Sequence, residues 1–260
     1  MDYVYQAQHW DVSSMVADLN PYVNDTVWGL TGIEQADFYQ GFWAEDLIKA
    51  NGSNPTRRLG IPYYRSAYVL FYNHSWAKEL GFPTPPATPQ DFRAQACAAA
   101  RAISEQGDKA ALRKGGWLIT PQPGAWVGWI YAFGGEIANL KTSGYSFNTA
   151  ETRQTLEYLK GLQVSGCAWS DSSVEPQSSF TSRQALFVVG SLYDIPAQQE
   201  AFAQAGSTDV WTVIPFPSSR QPVLDTYGPS LVITRSTPAE QLAAWLVVKW
   251  LVYPPTWLSG

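Results

Sequence analysis

The sequence predicts an α/β protein, and three observations carry the prediction. Helical stretches alternate with short apolar runs along all 260 residues, three helix starts carry capping residues, and the hydrophobic share is 45% against a charged share of 15%. That last ratio excludes disorder, collagen-like repeats and coiled coils, which are periodic in Pro and Gly or densely charged. The length suits one large domain or two small ones sharing an interface.

Taken in order, the first buried strand is the YVLFY run at 68–72. A short unbroken apolar run of this kind fits a strand covered on both faces. Thr88-Pro89-Gln90-Asp91 then supplies an N-cap, a Pro at the first helical position and an acid at the third, and Phe92, Ala96, Ala99, Ala100 and Ile103 form one apolar stripe. A second strand follows at 117–119. Asn148-Thr149-Ala150-Glu151 repeats the capping device ahead of Leu156, Leu159 and Leu162, and Gly166 supplies the stop. Further strands are read at 186–189, 210–214 and 230–233. Thr237-Pro238-Ala239-Glu240 launches the last helix, which carries Leu242, Trp245, Leu246 and Lys249 before Pro254 and Pro255 end it. The alternation argues for mainly parallel sheets, with ligands beyond the carboxyl ends of the strands.

Nearly every strand is flanked by Gly, Pro or an aromatic residue, as in GIPYY at 60–64, PGAW at 123–126, GSLY at 190–193 and YGPS at 227–230. Glycine lets backbone approach a ligand closely, and a ring offers it a flat apolar face. The stretch at 109–116 ends in a glycine pair and is the best candidate hinge or crossover.

Composition removes several functions. With 17 Lys plus Arg against 22 Asp plus Glu, the net charge of −5 leaves no positive excess to neutralise phosphates, so nucleic acid is not an expected partner. The 12 Trp, 14 Tyr and 11 Phe suit either a Trp-rich core or recognition surfaces that cover one face of a ring. Cys97 and Cys167 alone make neither a zinc site nor a disulfide framework, and two buried free thiols are favoured over a bridge. Met1 is followed by neither a basic segment nor an apolar stretch of about 7–15 residues, so the sequence as it stands carries no export signal. The most apolar run, at 242–253, falls short of the ~20 residues of a membrane helix and is read as a buried helix.

No catalytic constellation emerges. His9 and His74 are the only histidines, and HExxH, GxSxG, GxxxxGK[ST] and GxGxxG patterns do not occur. No metal or cofactor is expected. A glycosidase needs only two carboxylates about 5–9.5 Å apart, for which Glu136, Asp194 and Asp225 are candidates. For each of these, a surface acid, turn residue or hydrogen-bond acceptor is the preferred reading.

The ordered segments resemble the extracellular solute-binding proteins of ABC importers, in particular the carbohydrate-binding family related to maltose-binding protein. The stretches that carry the resemblance are VADLNPY at 16–22, LGIP at 59–62, VLFYN at 69–73, ELGFP at 79–83 and TPQDF at 88–92. It continues through AFGGE at 132–136, YSFN at 145–148, QALFVVG at 184–190, WTVIPFP at 211–217 and AAW at 243–245. Each is weak alone; their order and spacing over essentially the whole chain are specific.

The resemblance implies a two-lobed periplasmic-binding-protein-like fold with crossover strands and a mono- or oligosaccharide bound in the interlobe cleft, over which the lobes close. On this basis the amino-terminal lobe comprises residues 1–114 plus 226–260, and the second lobe 115–225. The function implied is sugar delivery to a membrane permease by a monomeric, non-enzymatic, extracellular or periplasmic protein, anchored as a lipoprotein in full-length form. The alternative is a glycoside hydrolase with an aromatic cleft. Carried over by position, the ligand-binding residues are Gln8, with Gln6 beside it, then Tyr63, Tyr64 and Arg65, Trp126, Ser191, Tyr193 and Asp194, and Tyr227 and Gly228. Trp129 and Trp211 are assigned to the core. The family adds a first strand-helix-strand unit and carboxyl-terminal helices that this sequence lacks, so the fold is expected to be incomplete at both termini, a fragment.

Overall fold

The structure, a computed structural model, describes residues 15–48, 56–105, 114–139, 144–222 and 224–253. Gln6, Gln8 and His9, most of the 109–116 stretch, and Pro254 and Pro255 lie outside the described residues. The chain divides into two compact units, Met1–Arg65 with Tyr227–Gly260, and Ser66–Thr226. The first unit contains α1 (Asn20–Val23), α2 (Gly32–Ala36), α3 (Gln40–Glu45), β1 (Leu47–Ile48), β2 (Arg57–Arg58) and β3 (Ile61–Pro62). The second runs through β4 (Ser66–Asn73), α4 (His74–Glu79), α5 (Pro89–Glu105), β5 (Gly115–Leu118), α6 (Pro123–Ala132), β6 (Ala138–Asn139) and β7 (Gly144–Tyr145). It continues with α7 (Ala150–Val164), β8 (Ala168–Trp169), α8 (Pro176–Thr181), β9 (Ala185–Ser191), α9 (Ile195–Gln204), β10 (Trp211–Ile214) and β11 (Asp225–Tyr227). The chain then returns to the first unit with β12 (Ser230–Leu231) and α10 (Pro238–Val252).

The second unit is built on one sheet in the order β10-β4-β9-β5-β8, with β11 beside β4. Period-2 alternation divides its side chains between two apolar layers. Leu70, Tyr72, Trp117 and Phe187 meet Phe92, Ala96 and Trp129 from the helices on one face. Val69, Phe71, Leu118 and Val188 meet Phe180 and Phe202 on the other. Trp129 is fully buried and Trp211 packs at the edge of the second layer, as assigned from sequence. The sheet is mixed, not mainly parallel: β5 runs parallel to β8 and β9, whereas β4 runs antiparallel to β9 and β10.

The three capped helices form where read. Thr88 and Asp91 exchange hydrogen bonds at the head of α5, Thr149 accepts from the Thr152 N–H at α7, and Thr237 forms a reciprocal box with Glu240 at α10. Each satisfies amide groups that a helix start leaves orphaned. Two details differ from the sequence expectation. Leu156 is exposed while Leu159 and Leu162 are buried, because three-residue spacing drifts around a 3.6-residue helix. The run at 242–253 buries Trp245 and Val248 against Leu19, Val23, Leu30 and Ile61, but leaves Leu246, Val247, Trp250 and Leu251 exposed, since the first unit offers α10 one face only.

Three further expectations are overturned. Cys97 and Cys167 are bridged, not free. The cause is close packing of α5 on β5: a Cβ at Gly116 would run into the Ala96 and Cys167 carbonyls, and the same approach brings the two cysteine Cα atoms to 4.4 Å. Gly115, at φ +114°, is likewise a close-approach residue inside a strand, so the glycine pair is not the hinge expected of it. The boundary expected at 114/115 falls instead at 65/66, while the return expected at 225/226 lies at 226/227. β4 draws its hydrogen bonds from β9 and β10, and this carries residues from 66 onward into the second unit. Among the described residues no helix is long and apolar enough to cross a membrane.

Candidate functional site

In the second unit the parallel strands β5 and β8 end side by side, and the chain beyond each end forms a groove of about 1040 Å³. Its walls are Ile119, Pro121, Pro123, Trp126, Val127, Ile130, Ile137 and Phe147, with Thr120 and Ser170–Ser172 as the polar part. Pro123 opens α6 at a position where a missing N–H costs nothing. Gly124 then lets the first turn settle on Tyr68 of β4, since a Cβ there would overlap the tyrosine ring. Trp126 therefore stands on a helix, not directly after a strand as expected, and is 39% exposed to the groove. Thr120 is 4% exposed, and neither its hydroxyl nor the Gln122 carbonyl Oε1 has a hydrogen-bond partner among the described residues. Asp171 accepts from the Ser173 hydroxyl at 2.6 Å and its N–H at 2.9 Å, and these bonds hold its carboxyl below the usual range.

The turn after β9 is closed on itself. Ser191 Oγ shares a hydrogen bond with Ser66 Oγ at 2.7 Å and accepts from the Tyr193 N–H at 3.0 Å. The Asp194 carboxylate accepts from the Ser191 N–H at 2.7 Å and caps the short helix 192–194. Tyr193 projects outward, 72% exposed.

In the first unit Tyr63 and Tyr64 pack edge to face with centroids 5.8 Å apart, and both line a small cavity of about 280 Å³ with Phe38, Tyr39 and Phe42. The Arg65 guanidinium donates to Glu45 Oε2, to the Tyr64 and Pro229 carbonyls and to Ser230 Oγ. Those bonds lock it as a strut between β3 and β12. Gly228, at φ +157°, lies where a Cβ would strike the Tyr64 carbonyl, so the returning chain needs glycine there. Burial raises the pKa of Asp46 beside this strut, opposed by the Ser230 hydroxyl and the charges of Arg65 and Arg58.

Of the residues singled out from sequence, Tyr63, Tyr64, Arg65 and Gly228 come together in the first unit. Ser191, Tyr193 and Asp194 share one turn of the second, and Trp126 stands in its groove. Tyr227 is half-buried on β11, and Gln8 lies outside the described residues. Thr120, Phe147 and Asp171 were missed, although Thr120 and Asp171 each sit just past a strand end, where the parallel-sheet rule points. Of the three candidate carboxylates, Asp194 is engaged as a cap and Glu136 is exposed. Asp225 is pushed up to about 6 by burial alone. No cluster of metal-binding side chains occurs among the described residues.

A sequence profile described as "Bacterial extracellular solute-binding protein" matches residues 1–257. No curated protein matches the chain by sequence. Among solved structures, the sugar-binding protein MalE of Xanthomonas citri superposes with a TM-score of 0.74 at 18% identity, over 96% of this chain and 60% of that one. The GacH receptor of Streptomyces glaucescens, solved unliganded and with acarbose, gives 0.71 at 18% identity over 96% and 59%. The substrate-binding protein Lmo0181 of Listeria monocytogenes, in complex with cycloalternan, gives 0.68 at 16% over 94% and 58%. The chain thus spans about three fifths of the length of these structures.

Proposed function

The chain belongs to the bacterial extracellular solute-binding proteins, and from that premise we propose that it takes a mono- or oligosaccharide for an ABC importer, holding it by aromatic stacking and hydrogen bonds. The observation that carries the reading is the Trp126 groove. Its Trp126 ring and the polar patch at Thr120 and 170–172 suit one sugar ring, because a pyranose offers C–H faces to rings and hydroxyls to polar groups at its rim. A micromolar site needs about 8 kcal/mol in all, and one stacking contact supplies about 0.5–1.5 kcal/mol, so several groups cooperate. Trp126, Tyr193, Tyr63, Tyr64 and Tyr227 are the proposed stacking residues, and Gly228 admits close backbone. Arg65, Ser191 and Asp194 act by positioning those loops, and Gln8 is kept as a further polar contact.

The family consists of solute-binding proteins, not enzymes, and we assign this chain no catalytic step. It is proposed to act as a monomer outside the cytoplasm with a membrane permease, tethered through a lipid anchor; the Cys97–Cys167 bridge suits an oxidising compartment. The test is isothermal titration against malto-, xylo-, cello- and manno-oligosaccharides, with the recovered sugar analysed. Saturable binding of intact sugar is the expected result. Cleaved sugar would replace this reading with a glycosidase, and no heat with any of the four series or with any simple glycoside would overturn the sugar assignment.

A further inference from the structure

We propose that the groove at the ends of β5 and β8 receives the apolar substituent of an amphipathic glycoside that carries no anionic group, with the sugar end held at Thr120 and Asp171. The inference rests on the sugar-binding reading and narrows its ligand class.

The lining is the first ground. Eight of the twelve lining residues are apolar, so a fully hydroxylated oligosaccharide filling this groove would press hydroxyls against Ile119, Val127 and Ile130 without partners, and each such burial is costly. A ligand with an apolar portion avoids that cost. Its flat or alkyl part lies along Trp126 and Phe147, where apolar area leaves water and a ring can stack. At about 1040 Å³ the groove has room for a sugar ring and such a substituent together.

The polar end is the second and independent ground. Thr120 is 4% exposed and its hydroxyl has no partner among the described residues, yet it lines the groove. The hydroxyl itself is covered, so a rotation of the Thr120 side chain has to turn it to the groove before a ligand hydroxyl can satisfy it. Asp171, whose carboxyl the Ser173 hydrogen bonds hold below its usual range, supplies a strong acceptor for sugar O–H groups in the same polar patch. None of the twelve lining residues is basic, and one is acidic, which disfavours phosphates, fatty acids and anionic lipid headgroups.

The experiment compares methyl and 4-nitrophenyl glycosides of the same sugars (α- and β-glucosides, galactosides, xylosides and maltosides) by titration on the intact chain, Trp126→Ala and Thr120→Val, with free 4-nitrophenol as control. The expected result is one sugar series that binds, with its aryl member at least about tenfold tighter. That ratio should collapse in Trp126→Ala, while Thr120→Val weakens both members about fivefold or more and keeps the ratio. Circular dichroism and thermal melts confirm that both variants are folded.

Equal affinity of methyl and nitrophenyl members within a binding series overturns the inference and leaves the sugar reading standing. So does an aryl preference that survives Trp126→Ala, or nitrophenol binding as tightly as its glycoside. A concentration-dependent dimer that blocks the groove, detected by sedimentation, would also overturn it, with a second copy as the occupant. If no glycoside and no oligosaccharide of the four series binds, the parent reading fails and takes the inference with it.

Discussion

Two loops of the second unit leave the sheet at strand ends, and they use their polar groups in opposite ways. In the turn after β9, Ser191 and Asp194 hydrogen-bond within the turn and to Ser66, and the backbone amides of Ser191 and Tyr193 are met. In the loop after β5, the Thr120 hydroxyl and Gln122 Oε1 stay unmet among the described residues beside a half-open Trp126. Unmet buried polar groups are rare in folded proteins because each carries a desolvation cost. The lesson is that candidate residues of equal standing in a sequence separate by where their hydrogen bonds go: Ser191 and Asp194 bond within the fold, while the Thr120 hydroxyl finds no partner among the described residues and Trp126 beside it is the proposed ligand contact.

The harshest way to break the second loop is Gly124→Val. Its side chain would overlap the Tyr68 ring and lift the first turn of α6 from β4. Overpacking of this kind is expected to cost about 2–3 kcal/mol, read as a fall of several degrees in Tm, and to displace Trp126 as well. A Tm unchanged within a degree would mean that the α6 start is not seated on β4. Trp126→Ala sharpens the comparison from the other side. Because the ring is half-exposed, Tm should hardly move, while affinity for whichever sugar the titration identifies falls about tenfold, equivalent to about 1.4 kcal/mol. Unchanged affinity would remove Trp126 from the site.

In the turn after β9 the signature reverses. Asp194→Ala leaves the Ser191 amide without its cap and is expected to cost about 1 kcal/mol of stability. Affinity should drop only as far as Tyr193 is displaced. Chemical denaturation of both variants makes the contrast direct: Asp194→Ala should move the midpoint more than Trp126→Ala does. The opposite ranking would show that the hydrogen-bonding criterion does not separate structural from ligand-facing loops.

What sequence could and could not disclose follows the same division between local and distant causes. Thr149 and Thr237 announced their helices because a cap and the amides it satisfies lie within four residues. The path of β4 was not legible, since nothing in 66–73 says that its neighbours are 185–191 and 211–214. The same blindness misplaced the first boundary between the units, expected at 114/115 and found at 65/66. The Cys97–Cys167 bridge was hidden because it depends on how tightly α5 presses on β5, which Gly116 permits but does not declare. Among the candidate site residues, aromatics after glycine were easy to find, whereas Thr120 and Asp171 needed the knowledge that β5 and β8 end side by side. Arg65 read as a ligand contact because the positive charge is visible in sequence and its four internal acceptors are not.

The smallest expected effect concerns two carboxylates that contrast as the two loops do. Asp171 is stabilised in its charged form by Ser173, whereas burial pushes Asp225 up to about 6 from an ordinary value of 3.8. A carboxyl whose folded pKa is raised keeps a proton that the unfolded chain gives up, so stability falls as pH rises from about 4 through about 6 and stays lower above that. Asn cannot ionise, so Asp225→Asn should melt above the wild type at pH 7.5 and converge with it near pH 4. Asp225 is only partly buried, and solvent screening limits the gap to about 1 kcal/mol or less, a shift of roughly 2–4 °C in Tm. A gap that stays constant across that pH range would mean that burial of charge at Asp225 is not what separates the two proteins.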